Sequence, residues 1–209
     1  MLIGLDFDNT IAGYDRLFVR VARSDGLVGS EAEGWTKTQV RDRLRACGPE
    51  GERRWQRLQG RVYGAHMAEA ELIPGVGAFL ERCRDARVPV VIVSHKTEYG
   101  HFDPERINLR DAARAWLTTH GFFDPKGFGL STGQVFFEST RAEKVARIVA
   151  LGCSHFVDDL EEVFLEPGFP AATRRYLFAP GSAPRPQGSF TAFPCWEIIA
   201  DAILGPCSA

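Results

Sequence analysis

Met1-Leu2-Ile3-Gly4-Leu5-Asp6-Phe7-Asp8-Asn9-Thr10 opens the chain, a short apolar run that stops on two acidic residues spaced by one. A continuous apolar run of this length, rather than an alternating one, marks a strand buried on both faces of a parallel sheet. Four more such runs follow, at Val88–Val93, Val135–Phe137, His155–Val157 and Tyr176–Phe178. Helical patterns lie between them. Gly75–Ala86 carries Val76, Phe79, Leu80 and Cys83 at helical spacing. A second helix reads from Asp103 as N-cap and Pro104 at the first helical position, with Ile107, Ala113, Trp116 and Leu117 inward, to Gly121. A third opens on the capping box Thr140-Arg141-Ala142-Glu143 and runs through Val145, Ile148 and Val149 to Gly152. A last helix is expected over Trp196–Leu204. Strands alternating with helices predict an α/β, Rossmann-like protein with a mostly parallel sheet.

One segment interrupts the alternation. Between about Gly13 and Ile73 no strand is legible, and Leu17–Val21, Val40–Leu44 and Trp55–Val62 read as helical pieces. The expected organisation is therefore a core of residues 1–12 and 74–209 with a helical insertion over 13–73, Pro74-Gly75 marking the return. Ala179–Ala192, rich in Pro, Gly and Ser, reads as a surface loop.

Composition narrows the function classes. Of 209 residues, 44% are hydrophobic and 25% charged, with a formal charge of −2, the balance of an ordinary globular protein. The slightly acidic total, and the lack of a basic stripe interleaved with aromatics, argue against nucleic acid as a partner. No stretch approaches the roughly 18 apolar residues of a membrane span, and the N-terminal run is too short for a secretory signal. A cytoplasmic protein without membrane partners is expected. The five cysteines, 47, 83, 153, 195 and 207, form no CxxC pair and read as small buried hydrophobes in a reducing compartment.

In open parallel sheets, ligands bind outside the carboxyl ends of the strands. There the first run ends in Asp6 and Asp8, which alternation sends to the same side, and the fourth ends in Asp158-Asp159. Up to four carboxylates converge on one sheet edge. Either a cation sits among them or some stay protonated. All-oxygen ligation suits a hard ion such as Mg²⁺, which also takes substrate phosphate oxygens.

Taken in order, these segments resemble the haloacid dehalogenase-like (HAD) superfamily of phosphohydrolases. Asp6-Phe7-Asp8-Asn9-Thr10 is similar to its motif I, DxDx[TV], with Asn9 where many members have Gly. Val91-Ile92-Val93-Ser94 resembles motif II, Lys144 the motif III lysine, and Phe156-Val157-Asp158-Asp159 motif IV. The resemblance spans the chain, and the insertion sits where the family carries C1-type caps. It implies Asp6 as the nucleophile forming an aspartyl-phosphate and Asp8 as the general acid/base. It also implies Mg²⁺ held by Asp6, the Asp8 carbonyl, and Asp158 or Asp159; alignment with the family's common Gly-Asp form favours Asp159. Ser94 and Lys144, with loop groups at Asn9 and Thr10, are the expected phosphate ligands. Taken alone, Ser94 reads rather as a turn cap and Lys144 as a surface lysine; it is the motif set that favours the phosphate-binding role.

His95 and Lys96 directly follow Ser94, and either line the substrate pocket or belong to a solvated loop reaching Asp103. From Trp35 to Leu72 eight basic residues face five acidic ones. Arginine suits a bidentate grip on phosphate or carboxylate, and Arg61, within Gln59–Gly64, is the expected substrate contact. The expected substrate is a small anionic phosphomonoester, a phosphosugar or nucleotide. Phosphotransfer to another acceptor, as in phosphomutases, and a catalytically silent binding protein stand as alternatives. Dehalogenation is disfavoured by Asp8, which the family's dehalogenases lack.

Overall fold

The computed structural model describes residues 1–181 and 185–206. Along the chain its elements are β1 (Ile3–Leu5), β2 (Ala12–Gly13), α1 (Asp15–Ser24), α2 (Lys37–Arg45), α3 (Gly51–Tyr63), β3 (Glu71–Leu72), α4 (Val76–Asp85), β4 (Val90–His95), α5 (Leu109–Thr119), β5 (Val135–Glu138), α6 (Arg141–Leu151), β6 (His155–Asp158), α7 (Glu161–Phe164), β7 (Arg174–Phe178), β8 (Arg185–Gln187), β9 (Phe190–Phe193) and α8 (Trp196–Leu204). They form two compact units. The first comprises Met1–Ala12, Leu72–Lys96 and the chain from His120 onward, and the second Gly13–Glu71 together with Thr97–Thr119. Among the described residues, no helix is long and apolar enough to cross a membrane.

The first unit is built on a seven-stranded sheet in the order β5-β4-β1-β6-β7-β9-β8, parallel except for β8 against β9. β1 lies centrally, with Leu5 beside Ile92 of β4 and Val157 of β6. These three residues are fully buried, as expected of continuous apolar strands. On one face Val91, Val93, Phe156 and Leu177 pack with Val145 and Ile148 of α6. Gly4 faces this layer because the Phe156 ring fills the space: a Cβ there would lie 2.5 Å from a ring carbon. Alternation turns Phe178 to the opposite face, where it meets Trp196 of α8 at 6.0 Å between ring centroids; Phe79 of α4 lies 5.0 Å from the same indole. The Trp196 Nε1–H donates to the Thr10 carbonyl at 3.0 Å and so ties down the loop leaving β1. The capping box of α6 forms as read: Thr140 Oγ1 accepts the Glu143 N–H at 3.1 Å, and the Glu143 carboxylate accepts from the Ser139 and Thr140 N–H groups at 3.0 Å each.

The structure corrects two expectations from the sequence. The stretch 179–192 is not simply a surface loop, since it supplies β8 and part of β9, with Phe190 and Ala192 buried; residues 182–184 of it lie outside the described residues. A three- or four-residue strand inside a Pro/Gly/Ser-rich tract is too short to leave a periodic signal. Buried cysteines are confirmed for Cys83 and Cys153, whose thiols burial pushes up to about 12 and about 11. Cys47, in contrast, is exposed beside the Arg43 guanidinium at 2.8 Å, and Cys195 is half-buried. Cys207 lies outside the described residues.

The second unit gathers α1, α2 and α3, the three helical pieces read from the insertion, around stacked aromatics. Phe18 lies over Trp55 at 5.1 Å, and Tyr14 meets Tyr63 edge-on at 4.9 Å. This unit also recruits α5, beyond the 13–73 insertion that the sequence suggests. The Trp116 Nε1–H donates to the Ala70 carbonyl at 2.9 Å. Gly60 of α3 lies so close to Gly100 that a Cβ on Gly100 would sit 2.4 Å from the Gly60 Cα. α5 does not start at Asp103. There the Asp103 carboxylate accepts the Glu105 N–H at 3.1 Å in a local turn, and positive φ at Phe102 (57°) and Arg106 (47°) interrupts a helical path. The operative cap is Asn108, whose Oδ1 accepts from the Arg110 and Asp111 N–H groups at 3.0 and 3.1 Å.

Candidate active site

Asp6 follows β1 directly, its N–H bonded to the Val157 carbonyl of β6 at 2.9 Å. The register that sets Gly4 beside Phe156 therefore sets Asp6 beside Asp158. Both side chains are buried, with Asp158 fully so. Between them stands Lys144, on the first turn of α6, whose Nζ donates to Asp6 Oδ1 and to Asp158 Oδ2 at 2.6 Å each. The capping box places this lysine, because it fixes where α6 begins. Lys144 is itself buried at 2% exposure, which excludes the surface-lysine reading.

One ammonium shared by two buried carboxylates leaves the group with an uncompensated negative charge. Burial pushes the Asp158 carboxyl up to about 7; Lys144 pulls the other way, and Asp6 adds to the rise. Burial is also the strongest influence on Lys144 and works against its charge. The carboxylates of Asp158 and Asp6 outweigh it, so the ammonium holds its proton more firmly than an ordinary lysine. The other Asp158 oxygen, Oδ1, accepts the Leu160 N–H at 3.0 Å.

Asp159 joins this group: one carboxylate oxygen from each of Asp6, Asp158 and Asp159 lies within 4.8 Å of the others. Three hard oxygen donors at that spacing, carrying more negative charge than one lysine neutralises, fit a small divalent cation.

Asp8 has a cation of its own. Lys96, just beyond β4, donates from Nζ to Asp8 Oδ1 at 3.0 Å and Oδ2 at 2.8 Å, and lies 5.5 Å from the centre of the Phe7 ring. Neither expectation for Lys96, a substrate-pocket wall or a solvated loop, includes this pair. The alternation that groups Asp6 with Asp8 also groups Ser94 with Lys96 at the exit of β4, and that signal was available. The same alternation turns His95 away: it is exposed, and its Nε2 lies 3.0 Å from the Ser139 carbonyl.

Ser94 is buried at the end of β4. Asn9 takes a positive φ of 59°, a conformation Asn tolerates well, and its N–H bonds the Ala12 carbonyl at 2.8 Å to close the turn after Asp8. Thr10 is fully buried, with no hydrogen-bond partner for its Oγ1. Arg61 belongs to the second unit and is paired there with Asp25.

No protein-family model matches this chain, and neither does any curated protein. Solved structures do resemble it. A HAD family hydrolase from Deinococcus radiodurans R1, holding bound phosphate and sodium, is similar over 97% of this chain and 94% of its own, at 14% identity and a TM-score of 0.60. A HAD-superfamily hydrolase of subfamily IA from Geobacter sulfurreducens PCA matches over 95% and 94%, at 15% identity and a TM-score of 0.55. A HAD phosphatase from Thermococcus onnurineus matches over 98% of both chains, at 15% identity and a TM-score of 0.52. The fold expected from the sequence is thus the fold of HAD hydrolases.

Proposed function

We propose, starting from this shared fold, that the chain is a metal-dependent phosphomonoester hydrolase in which Asp6 is phosphorylated and then freed by water. The observation that carries the reading is Lys144 bridging Asp6 and Asp158, with Asp159 completing an oxygen-rich group at the carboxyl ends of β1 and β6. Asp6, Asp158 and Asp159 would hold the cation, Mg²⁺ by the hardness of its donors. When bound, it would draw charge from the phosphoryl oxygens and offset the excess negative charge of the carboxylates.

Asp6 attacks phosphorus; the Asp6 Oδ–P bond forms as the ester P–O bond breaks, and Asp8 gives a proton to the leaving oxygen. Water then attacks the same phosphorus, its proton passing to Asp8, and Asp6 is released with inorganic phosphate. Lys144 and Ser94 face the charge that spreads over the equatorial oxygens. The second unit, with its Arg-rich α2 and α3, serves as the cap that selects a small anionic phosphomonoester, a phosphosugar or nucleotide.

The test is a panel of phosphorylated metabolites and an aryl phosphate, assayed with Mg²⁺ and again after chelation, alongside Asp6→Asn. Turnover should require the metal and fall at least 100-fold in Asp6→Asn, which still accepts the Lys144 hydrogen bond and stays folded. A panel without turnover, or an Asp6→Asn protein retaining a tenth of the rate, refutes the assignment.

A further inference from the structure

We propose that Lys96 is a positioning residue that holds Asp8 as proton acceptor for the second half of the reaction, the attack of water on phosphorylated Asp6; the inference rests on the phosphohydrolase reading above. The geometry points to it in two ways. Both Asp8 oxygens accept from the one ammonium, at 3.0 and 2.8 Å, which fixes the plane of the carboxylate. The side chains also differ in access. Lys96 is 2% exposed and Asp8 19%, so the acid is within reach of water while the lysine behind it is enclosed.

Lys96 itself is anchored. Its N–H donates to the Glu138 carbonyl at the end of β5 at 2.9 Å, and its ammonium rests against the Phe7 ring. In the step it serves, the water O–P bond forms, the Asp6 Oδ–P bond breaks, and the water proton moves to Asp8. The next turnover returns that proton to the leaving oxygen of a new ester. With 4-nitrophenyl phosphate the leaving group departs as the nitrophenolate anion without taking that proton, and Asp8 releases it to solvent before the next water attack. For that substrate the first half proceeds without Asp8 as acid, and only the second half depends on how Asp8 is held.

The experiment is steady-state and rapid-quench kinetics of 4-nitrophenyl phosphate with Mg²⁺, comparing wild type with Lys96→Met. Loss of a well-held general base slows a step by about 100-fold or more. In Lys96→Met, kcat should fall by about that factor with KM falling in parallel, so that kcat/KM stays within about threefold of wild type. A burst of one nitrophenolate per chain should appear, with one phosphoryl group on the acid-quenched protein by intact mass. If kcat/KM falls together with kcat, or no burst forms, Lys96 acts on substrate binding or on the fold and the inference is overturned. Where Lys96→Met does not fold, Lys96→Gln is read by the same two measurements. A wild-type protein without turnover refutes the phosphohydrolase reading itself and takes this inference with it.

Discussion

Replacing Lys144 by Met tests the electrostatics of the site directly. The ammonium is 2% exposed and lies 2.6 Å from each of two carboxylates that are themselves almost entirely buried. Methionine keeps most of the stem and removes the charge, leaving Asp6 and Asp158 side by side. Breaking a buried ion pair by removing one partner costs about 3–5 kcal/mol, and here two acceptors lose one donor, which points to the upper end. Protonation can replace the lost cation. Asp158 in the folded wild type stands at about 7, above its ordinary value of 3.8, so the folded state binds the extra proton. The stability this contributes is present at low pH and is lost as pH rises through 7. Without Lys144 the same window moves upward. One proton is worth about 1.4 kcal/mol per pH unit, and only above pH 7 does the mutant hold a proton that wild type has released, so the about 1.5 units from pH 8.5 down to 7 recover roughly 2 kcal/mol. Urea denaturation in the presence of a chelator should therefore show a loss of about 4–5 kcal/mol at pH 8.5 and about 2–3 kcal/mol at pH 5.5. A loss below about 1 kcal/mol at both, or a larger loss at the acid pH, would refute the account of a cluster short of positive charge.

Two further outcomes follow from other parts of the structure. Burial, with Arg174 and the N-terminal ammonium, holds the His155 imidazole below its ordinary 6.5, so its neutral form supports the fold above that pH and the support is lost as pH falls through the folded value; His155→Gln should lose less thermal stability than wild type between pH 7.5 and 5, and parallel losses would exclude the effect. Gly100→Ala, with its new Cβ 2.4 Å from the Gly60 Cα, should cost about 1–3 kcal/mol and lower Tm by several degrees, whereas a Tm within a degree of wild type would contradict the close approach.

The sheet was legible because each of its central strands had to be apolar on both faces, and Leu2–Phe7 or Val88–Val93 admit few other readings. The acidic group was legible for a related reason: alternation and the strand ends bring Asp6, Asp158 and Asp159 to one place. What escaped depended on contacts between distant residues or on competing local signals. Asp103-Pro104 carries the chemistry of a helix start, but positive φ at Phe102 and Arg106 diverts the chain, and Asn108 takes over the capping. The short strand at Phe190–Phe193 lay hidden in turn-rich composition. Alternation puts Lys96 on the same side of the sheet as Ser94, but that its ammonium is engaged by Asp8 depends on the two strand ends lying side by side around Phe7.

The contact of Gly60 with Gly100 bears on how such an architecture can be cut and rejoined. Residues 13–71 look like a cassette, with both ends at the paired strands β2 and β3. Yet the unit they belong to includes 97–119, a segment encoded after β4. A chimaera that exchanged only the first segment would bring in helices without their own Trp116 and Gly100, and would leave the host's α5 facing a surface it was never matched to. Transplanting this unit between homologous scaffolds requires two simultaneous exchanges, and recombination at a single pair of breakpoints should be strongly counter-selected. During synthesis, too, the unit stays incomplete until the ribosome has passed residue 119, by which time β1 and β4 have both been made.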